Sequence, residues 1–257
     1  MRRLARFIKF YGGTIIILFA SFCMYEVATD LCGWLDPVLF PGFSRIWSTV
    51  TGSSPQLFEC FLSSMGLLIP GYFIAALAGI ILGVVIALSP RFHKNLKPII
   101  FALSPIPPSM LTPYLIAVLP TFYISSVAVI FIGCFWPFLN GTISGILLID
   151  QKYLDNSKVL ELSGIQMLTN VILPAASPMI LAGAGTALNF AFILLTVAEM
   201  FATNSGLGYY IQYYADFSDY ARVLGGLLVT IFVFVSIMIG FDAFKRRVLF
   251  WTLNEHH

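Results

Sequence analysis

The chain has 257 residues, 59% of them hydrophobic and only 10% charged, and its formal net charge is +2. Soluble domains carry about 25% charged residues, so this composition excludes a soluble enzyme and a nucleic-acid-binding protein. Several apolar runs of about 20 residues mark an integral membrane protein, and no stretch is polar enough to separate from residues 1–257 as a soluble domain.

Arg2, Arg3, Arg6 and Lys9 precede an apolar run over about 15–32. That run is long for a signal peptide and no A-x-A-like cleavage site follows it, so it is expected to be a retained first span. Pro37 and Pro41 punctuate the loop that follows, and Phe43, Ile46, Trp47 and Val50 recur at helical spacing, which predicts a short interfacial helix. A second span is expected over about 57–89, kinked at Pro70-Gly71, with Ala75, Gly79 and Gly83 as a small-residue face for another helix.

A basic loop with Arg91, His93, Lys94 and Lys97 leads into a third span over about 98–118. Pro105, Pro107, Pro108 and Pro113 interrupt it. Each removes a backbone donor, and backbone left open at membrane depth is tolerated only when buried in protein or facing a watery cavity. Ser104, Pro105, Pro107, Pro108 and Thr112 therefore read either as a plain kink or as path and gate residues. Further spans are expected over about 124–147, 178–200 and 222–244, with Gly183, Ala187 and Ala191 as a second small-residue face.

Between the fourth and fifth spans lies a polar segment, 150–174, with apolar residues at Val159, Leu160, Leu162, Ile165, Leu168, Val171 and Ile172. It predicts an amphipathic helix, or two short helices broken near Ser163-Gly164. Asn189 is a further path candidate in the fifth span. Glu199 closes that span; a carboxylate there is costly unless paired, protonated or wet, so it reads either as a partner in a helix–helix or helix–loop hydrogen bond or as part of the path. Tyr209, Tyr210, Tyr213, Tyr214 and Tyr220 suit an interfacial helix or lid.

With six spans, the positive-inside rule places both termini and the 150–174 segment in the cytosol, because only Arg45 and Arg222 of the 14 basic residues then fall outside. Cys23, Cys32, Cys60 and Cys134 show no metal-ligand or CxxC spacing, and the three histidines form no metal pattern. No nucleophile, metal set or acid–base pair clusters in the sequence, so no catalytic site and no bound cofactor are expected.

The 150–174 segment resembles the cytosolic motif of permease subunits of ABC importers, which reads Glu-Ala-Ala, three residues, Gly, nine residues, then an aliphatic residue, any residue and Leu-Pro. Registered on Leu173-Pro174, this chain has Asp155-Asn156-Ser157 at the start, Glu161 at the glycine place and Val171-x-Leu173-Pro174 at the end. Ser104-Pro105-Ile106-Pro107-Pro108 is similar to the Arg-Pro-Ile-Pro-Pro stretch of the nitrate/sulfonate/taurine/bicarbonate permease group. Leu39-Phe40-Pro41, Val197-Ala198-Glu199-Met200 and Ser205-Gly206-Leu207-Gly208-Tyr209 resemble that group in the same order. Two places depart from it: Glu161 for glycine, and Val118-Leu119-Pro120 where a Trp-Phe-Gly-like run is usual.

The resemblance implies an all-α polytopic membrane protein with six transmembrane helices and an ABC type I importer-like permease fold, in the inner membrane of a prokaryote. It implies a second permease subunit, two ATP-binding subunits that carry ATP and Mg, and an external solute-binding protein that delivers a small anionic or zwitterionic solute. The 150–174 segment would couple to the ATPase through Asp155, Lys158, Glu161, Ser163, Gly164, Gln166, Leu173 and Pro174. An ion-coupled secondary transporter would want paired intramembrane carboxylates; that reading and a membrane scaffold subunit stand as the alternatives.

Overall fold

Proline and glycine positions explain most of the architecture. The computed structural model describes residues 13, 16–17, 20–31 and 33–251. The chain divides into two compact units, one of residues 1–58 and 210–229, the other of residues 59–209 and 230–257.

The helices, numbered in chain order, are α1 (Phe43–Gly52), α2 (Ser54–Leu88), α3 (Pro90–Leu103), α4 (Thr112–Val118), α5 (Phe122–Leu147), α6 (Gln151–Val159), α7 (Leu173–Ala202), α8 (Leu207–Asp216) and α9 (Tyr220–Val248). Pro90 opens α3 at a position where the missing N–H costs nothing. Pro105, Pro107 and Pro108 end it: the chain leaves α3 at Leu103, passes a 3₁₀ turn at Pro108–Leu111 and resumes helix at Thr112. Thr121 starts α5 by accepting a hydrogen bond from the Ile124 N–H at 3.2 Å. α2 runs through Pro70 as one helix.

The larger unit is organised around α5. On one side, α2 brings Gly71, Gly79 and Gly83 against it. A Cβ on Gly79 would stand 2.7 Å from Phe138 Cβ, and one on Gly83 would stand 2.7 Å from Thr142 Cβ. On the other side α7 approaches even closer, because a Cβ on Gly183 would lie 2.6 Å from the Pro137 carbonyl oxygen and one on Gly141 2.9 Å from the Met179 oxygen. Real side chains essentially never sit at those distances, so both seams require glycine. Ala75, Val129, Ile130, Cys134, Ala187 and Ala191 are wholly buried along them. The Cys134 thiol donates to the Ala187 carbonyl at 3.3 Å, and the Tyr72 hydroxyl to the Ala184 carbonyl at 2.9 Å. Phe192 of α7 stacks on Phe234 of α9 with centroids 4.2 Å apart. In a bilayer lipid tails are as apolar as leucine, so helix association rests on such close packing and on interhelical hydrogen bonds.

In the smaller unit, the Tyr25 hydroxyl donates to the Pro41 carbonyl at 2.9 Å and the Phe43 N–H to Glu26 Oε2 at 3.3 Å. The predicted interfacial helix is α1; Ile46 is its buried residue and Trp47 is exposed. Tyr210 is buried, and the Tyr214 ring carries Arg222 over its face at 4.7 Å, while Arg222 also bonds Asp219 at 2.9 Å.

The expectation of six spans is corrected. Among the described residues four helices are long and apolar enough to cross a membrane: Ser54–Leu88, Phe122–Leu147, Gly164–Phe201 and Tyr220–Val248. A fifth results only if Pro90–Leu103 and Pro108–Val118, bent by 76°, form one span. The proline run accounts for the difference between four and five: it divides an apolar stretch long enough to span into two pieces that are not. The expected first span lies partly outside the described residues, and its described part carries Glu26 and Asp30 and passes into a π-helix at Val27–Leu31.

Gly183→Ala and Gly141→Ala should each destabilise the protein by about 1–3 kcal/mol through overpacking. Gly240→Ala, with nothing within 4 Å of its Cβ position, should be neutral or stabilising, read from unfolding midpoints in detergent.

Candidate functional site

The sequence points to two places, the turn between α6 and α7 and the corner after α7. In the turn, α6 closes with Leu160 N–H bonded to the Asn156 carbonyl at 3.1 Å and Leu162 N–H to the Ser157 carbonyl at 3.0 Å. The second bond spans five residues and is the Schellman closure of a helix, with a left-handed residue just past its end. That residue is Glu161, at φ +53°. Glycine is usual there because a Cβ costs roughly 1–2 kcal/mol in this conformation. Ser163 is extended, and Gly164 turns the chain a second time at φ +54° before the short helix Gly164–Met167. A π-helical turn at Leu168–Ile172 then leads into α7, with Pro174 at its start. The break expected near Ser163-Gly164 is thus a pair of left-handed residues three positions apart, and the residues from Gly164 onward form the base of the long helix.

The double turn projects an apolar tip. Val159, Leu160 and Ile165 are 82%, 68% and 78% exposed, and Glu161, Ser163 and Gln166, close to them in sequence, are exposed as well. Beneath it Ser157 is buried, its hydroxyl donating to the Leu154 carbonyl at 2.7 Å. Asp155 accepts from Gln151 Nε2 at 3.3 Å, and the side chain of Lys158 lies outside the described residues. Leu173 is half-buried and Pro174 exposed, the latter on a cleft of about 350 Å³ that Tyr153, Asn170 and Trp251 also line. The sequence reading singled out the polar residues here; the exposed trio is the feature it did not separate from the rest of the amphipathic pattern, although Val159 and Leu160 directly precede the turn.

In the corner after α7, Glu199 is only 1% exposed. Gly208 N–H, at the second position of α8, donates to Glu199 Oε2 at 2.7 Å. Leu207 N–H donates to Ser64 Oγ at 3.0 Å, so two orphan donors of the helix start are met by buried side chains. The carboxylate also faces the positive end of the helix. A Cβ on Gly206, at φ +122°, would run into the Glu199 carboxyl, and one on Gly208 would lie 2.8 Å from the Thr196 oxygen. The Ser-Gly-Leu-Gly sequence is therefore shaped around Glu199. Glu199 Oε1 has no hydrogen-bond partner among the described residues.

The remaining path candidates do not gather into one site. Ser104 lies at the end of α3, where Asn140 Nδ2 donates to its hydroxyl at 3.4 Å, and with Pro105 and Asn140 it lines a second cleft, between α3 and α5. Pro107 is exposed; Pro108 packs towards Gly133, whose Cβ would stand 3.4 Å from Pro108 Cγ. Thr112 is buried at the start of α4, its hydroxyl unpartnered among the described residues, and Asn189 is exposed on α7. No group of three or more His, Cys, Asp or Glu side chains that could hold a metal occurs among the described residues.

Glu161→Gly should raise stability by about 1 kcal/mol by relieving the left-handed Cβ, and Gly164→Ala should lower it by a similar amount, as chemical denaturation in detergent would register. Glu199→Ala leaves the Gly208 N–H buried and unpaired and should cost about 1–3 kcal/mol. Glu199→Gln keeps an acceptor and should cost less; equal losses in the two variants would remove the helix-start role.

Residues 56–250 match the family described as "Binding-protein-dependent transport system inner membrane component". The nitrate import permease protein NrtB of Synechococcus elongatus is 32% identical over 178 residues, covering 69% of this chain and 62% of that protein. The putative aliphatic sulfonates transport permease protein SsuC of Bacillus subtilis is 33% identical, over 62% of this chain and 58% of its own length. The chain thus spans about three-fifths of the length of these two relatives. The taurine transport system permease protein TauC of Escherichia coli is 28% identical over 96% of this chain and 91% of that protein. In fold, an inward-facing structure of the MetNI methionine ABC transporter superposes with a TM-score of 0.64 at 16% identity, covering 80% of this chain and 99% of that one. The all-α membrane fold is that of ABC importer permeases, and with three-quarters of its length matched the chain belongs to the binding-protein-dependent transport system inner membrane component family.

Proposed function

We propose that this chain is a transmembrane subunit of an ATP-driven importer in a prokaryotic inner membrane, and that it forms the path for a small anionic or zwitterionic solute handed over by an external binding protein. It carries no catalytic site of its own. A second permease subunit completes the path, and two ATP-binding subunits hold the ATP and Mg. The names of the relatives, which refer to nitrate, aliphatic sulfonates and taurine, support the solute class.

The observation that carries the reading is the exposed Val159–Leu160–Ile165 tip on the double turn between α6 and α7. Three large apolar side chains at that exposure suit burial in a partner's groove, and two left-handed residues fix the angle at which they are presented. Motion of an ATPase is passed on as rigid-body displacement of α6 and the base of α7. Asp155, Lys158, Glu161, Ser163 and Gln166 supply the polar rim of that contact, and Leu173-Pro174 anchors its far end.

Charge supports the orientation. If the bent pair counts as one span, Arg91, Lys94, Lys97, Lys152, Lys158, Lys245, Arg246 and Arg247 share one side of the membrane, and Arg45 and Arg222 the other. The positive-inside rule makes the first side cytosolic, which puts the α6–α7 turn and the end of α9 where an ATPase can reach them.

The test is the triple variant Val159→Asp/Leu160→Asp/Ile165→Asp, at positions exposed enough for the fold to tolerate it. The variant should reach the membrane at normal levels yet lose co-purification with the ATP-binding subunits and lose transport. Unchanged transport in this variant, or in a chain lacking residues 158–166, would sink the coupling role.

A further inference from the structure

A cleft of about 980 Å³ lies between α3 and α5. His93, Lys94 and Lys97 from the first two turns of α3 line one end, Ser144 stands opposite on α5, and Ser104 and Asn140 line the other end. From Lys94 to Ser104 is ten residues, which in a helix is about 15 Å along the axis. The walls between are apolar, formed in part by Ile100, Phe101 and Ile143, and no Asp or Glu among the described residues lines the cleft.

We propose that this cleft binds a small oxyanion at its lysine end, with Lys94 and Lys97 supplying the charge, and that Ser104 and Asn140 offer a second polar station at the other end. This deepens the transport reading above: it locates a site for the solute class on the inward end of the path. Low-dielectric walls lined by one sign of charge focus field lines and raise the local anion concentration by about tenfold or more. The two lysines stand one helical turn apart, at i and i+3, so their ammonium groups serve the same face. Ser104 and Asn140 bond each other through Asn140 Nδ2, at the long distance of 3.4 Å, so this end can reorganise to donate to an oxyanion. The oxyanion can come from a free solute or from the headgroup of an anionic lipid, since α3 begins at a membrane boundary; the chemistry recognised is the same.

The experiment uses the full permease–ATPase complex in nanodiscs, with Ser144→Cys as a reporter and the unsubstituted chain as the labelling blank. Anionic and cationic methanethiosulfonates of similar size are compared. The anionic reagent should react faster, the ratio of the two rates should fall about tenfold in Lys94→Gln/Lys97→Gln, and it should fall with rising ionic strength. Lys94→Arg/Lys97→Arg should retain the ratio. In neutral phosphatidylcholine, sulfate that slows labelling in a lysine-dependent way identifies a free oxyanion. Slowing by phosphatidylglycerol without added sulfate identifies a lipid headgroup. A ratio indifferent to the lysines, or lysine-independent labelling unaffected by both sulfate and phosphatidylglycerol, would overturn the proposal. Labelling does not require ATP hydrolysis, so a failure here is separate from a failure of the ATPase-docking variant.

Discussion

Backbone contact across α5 is the constraint from which the larger unit follows. Gly183 faces the Pro137 carbonyl and Gly79 and Gly83 face Phe138 and Thr142, so α5 is gripped on both sides at distances no side chain would permit. With little hydrophobic drive between helices in lipid, that proximity supplies the dispersion contacts and hydrogen bonds that replace it. Because interlocked helices of this kind shift as bodies rather than bend, a displacement applied to the ends of α5 and α7 is transmitted along their length.

The turn between α6 and α7 is built in the opposite way. It has few buried contacts, and two consecutive changes of direction are set by backbone conformation alone. Glycine serves at 164, while at 161 a glutamate adopts the same left-handed state. The strain sits at the exposed end of the element, beside the apolar tip, and it is retained because the helix closure through the Leu162 N–H requires it.

Much of this was legible in the residues, and the reasons are local. Small-residue spacing identified both seams of α5, since Gly79, Gly83, Gly183, Ala187 and Ala191 can be recognised without knowing their partner. Proline chemistry located the break after α3, and helical spacing located α1. The sharpness of the break in the third span was not legible, because hydropathy sums over a window and does not register that the chain bends by 76° between Pro90–Leu103 and Pro108–Val118. Glu161 left the position of the turn open: its side chain disfavours a left-handed backbone, and only the closure of α6 reveals that the backbone takes it. Glu199 was readable as costly, but its donor, Gly208, is nine residues away and becomes apparent only when α8 is seen to begin there. Ser104 and Asn140, 36 positions apart, could not be paired from spacing at all.

The ending of α3 at Leu103 also creates an electrical polarity. Proline at 105, 107 and 108 removes the donors that would have met the carbonyls of Phe101, Leu103 and Ser104 in a continuing helix. The helix therefore stops with its negative pole, about half a unit charge, at the Ser104 end of the cleft, and keeps its positive pole at the Pro90 end beside the lysines. For an anion the potential slopes downhill from the broken end of α3 to its start, so the same prolines that interrupt the span make the lysine end of the cleft the more favourable one for negative charge.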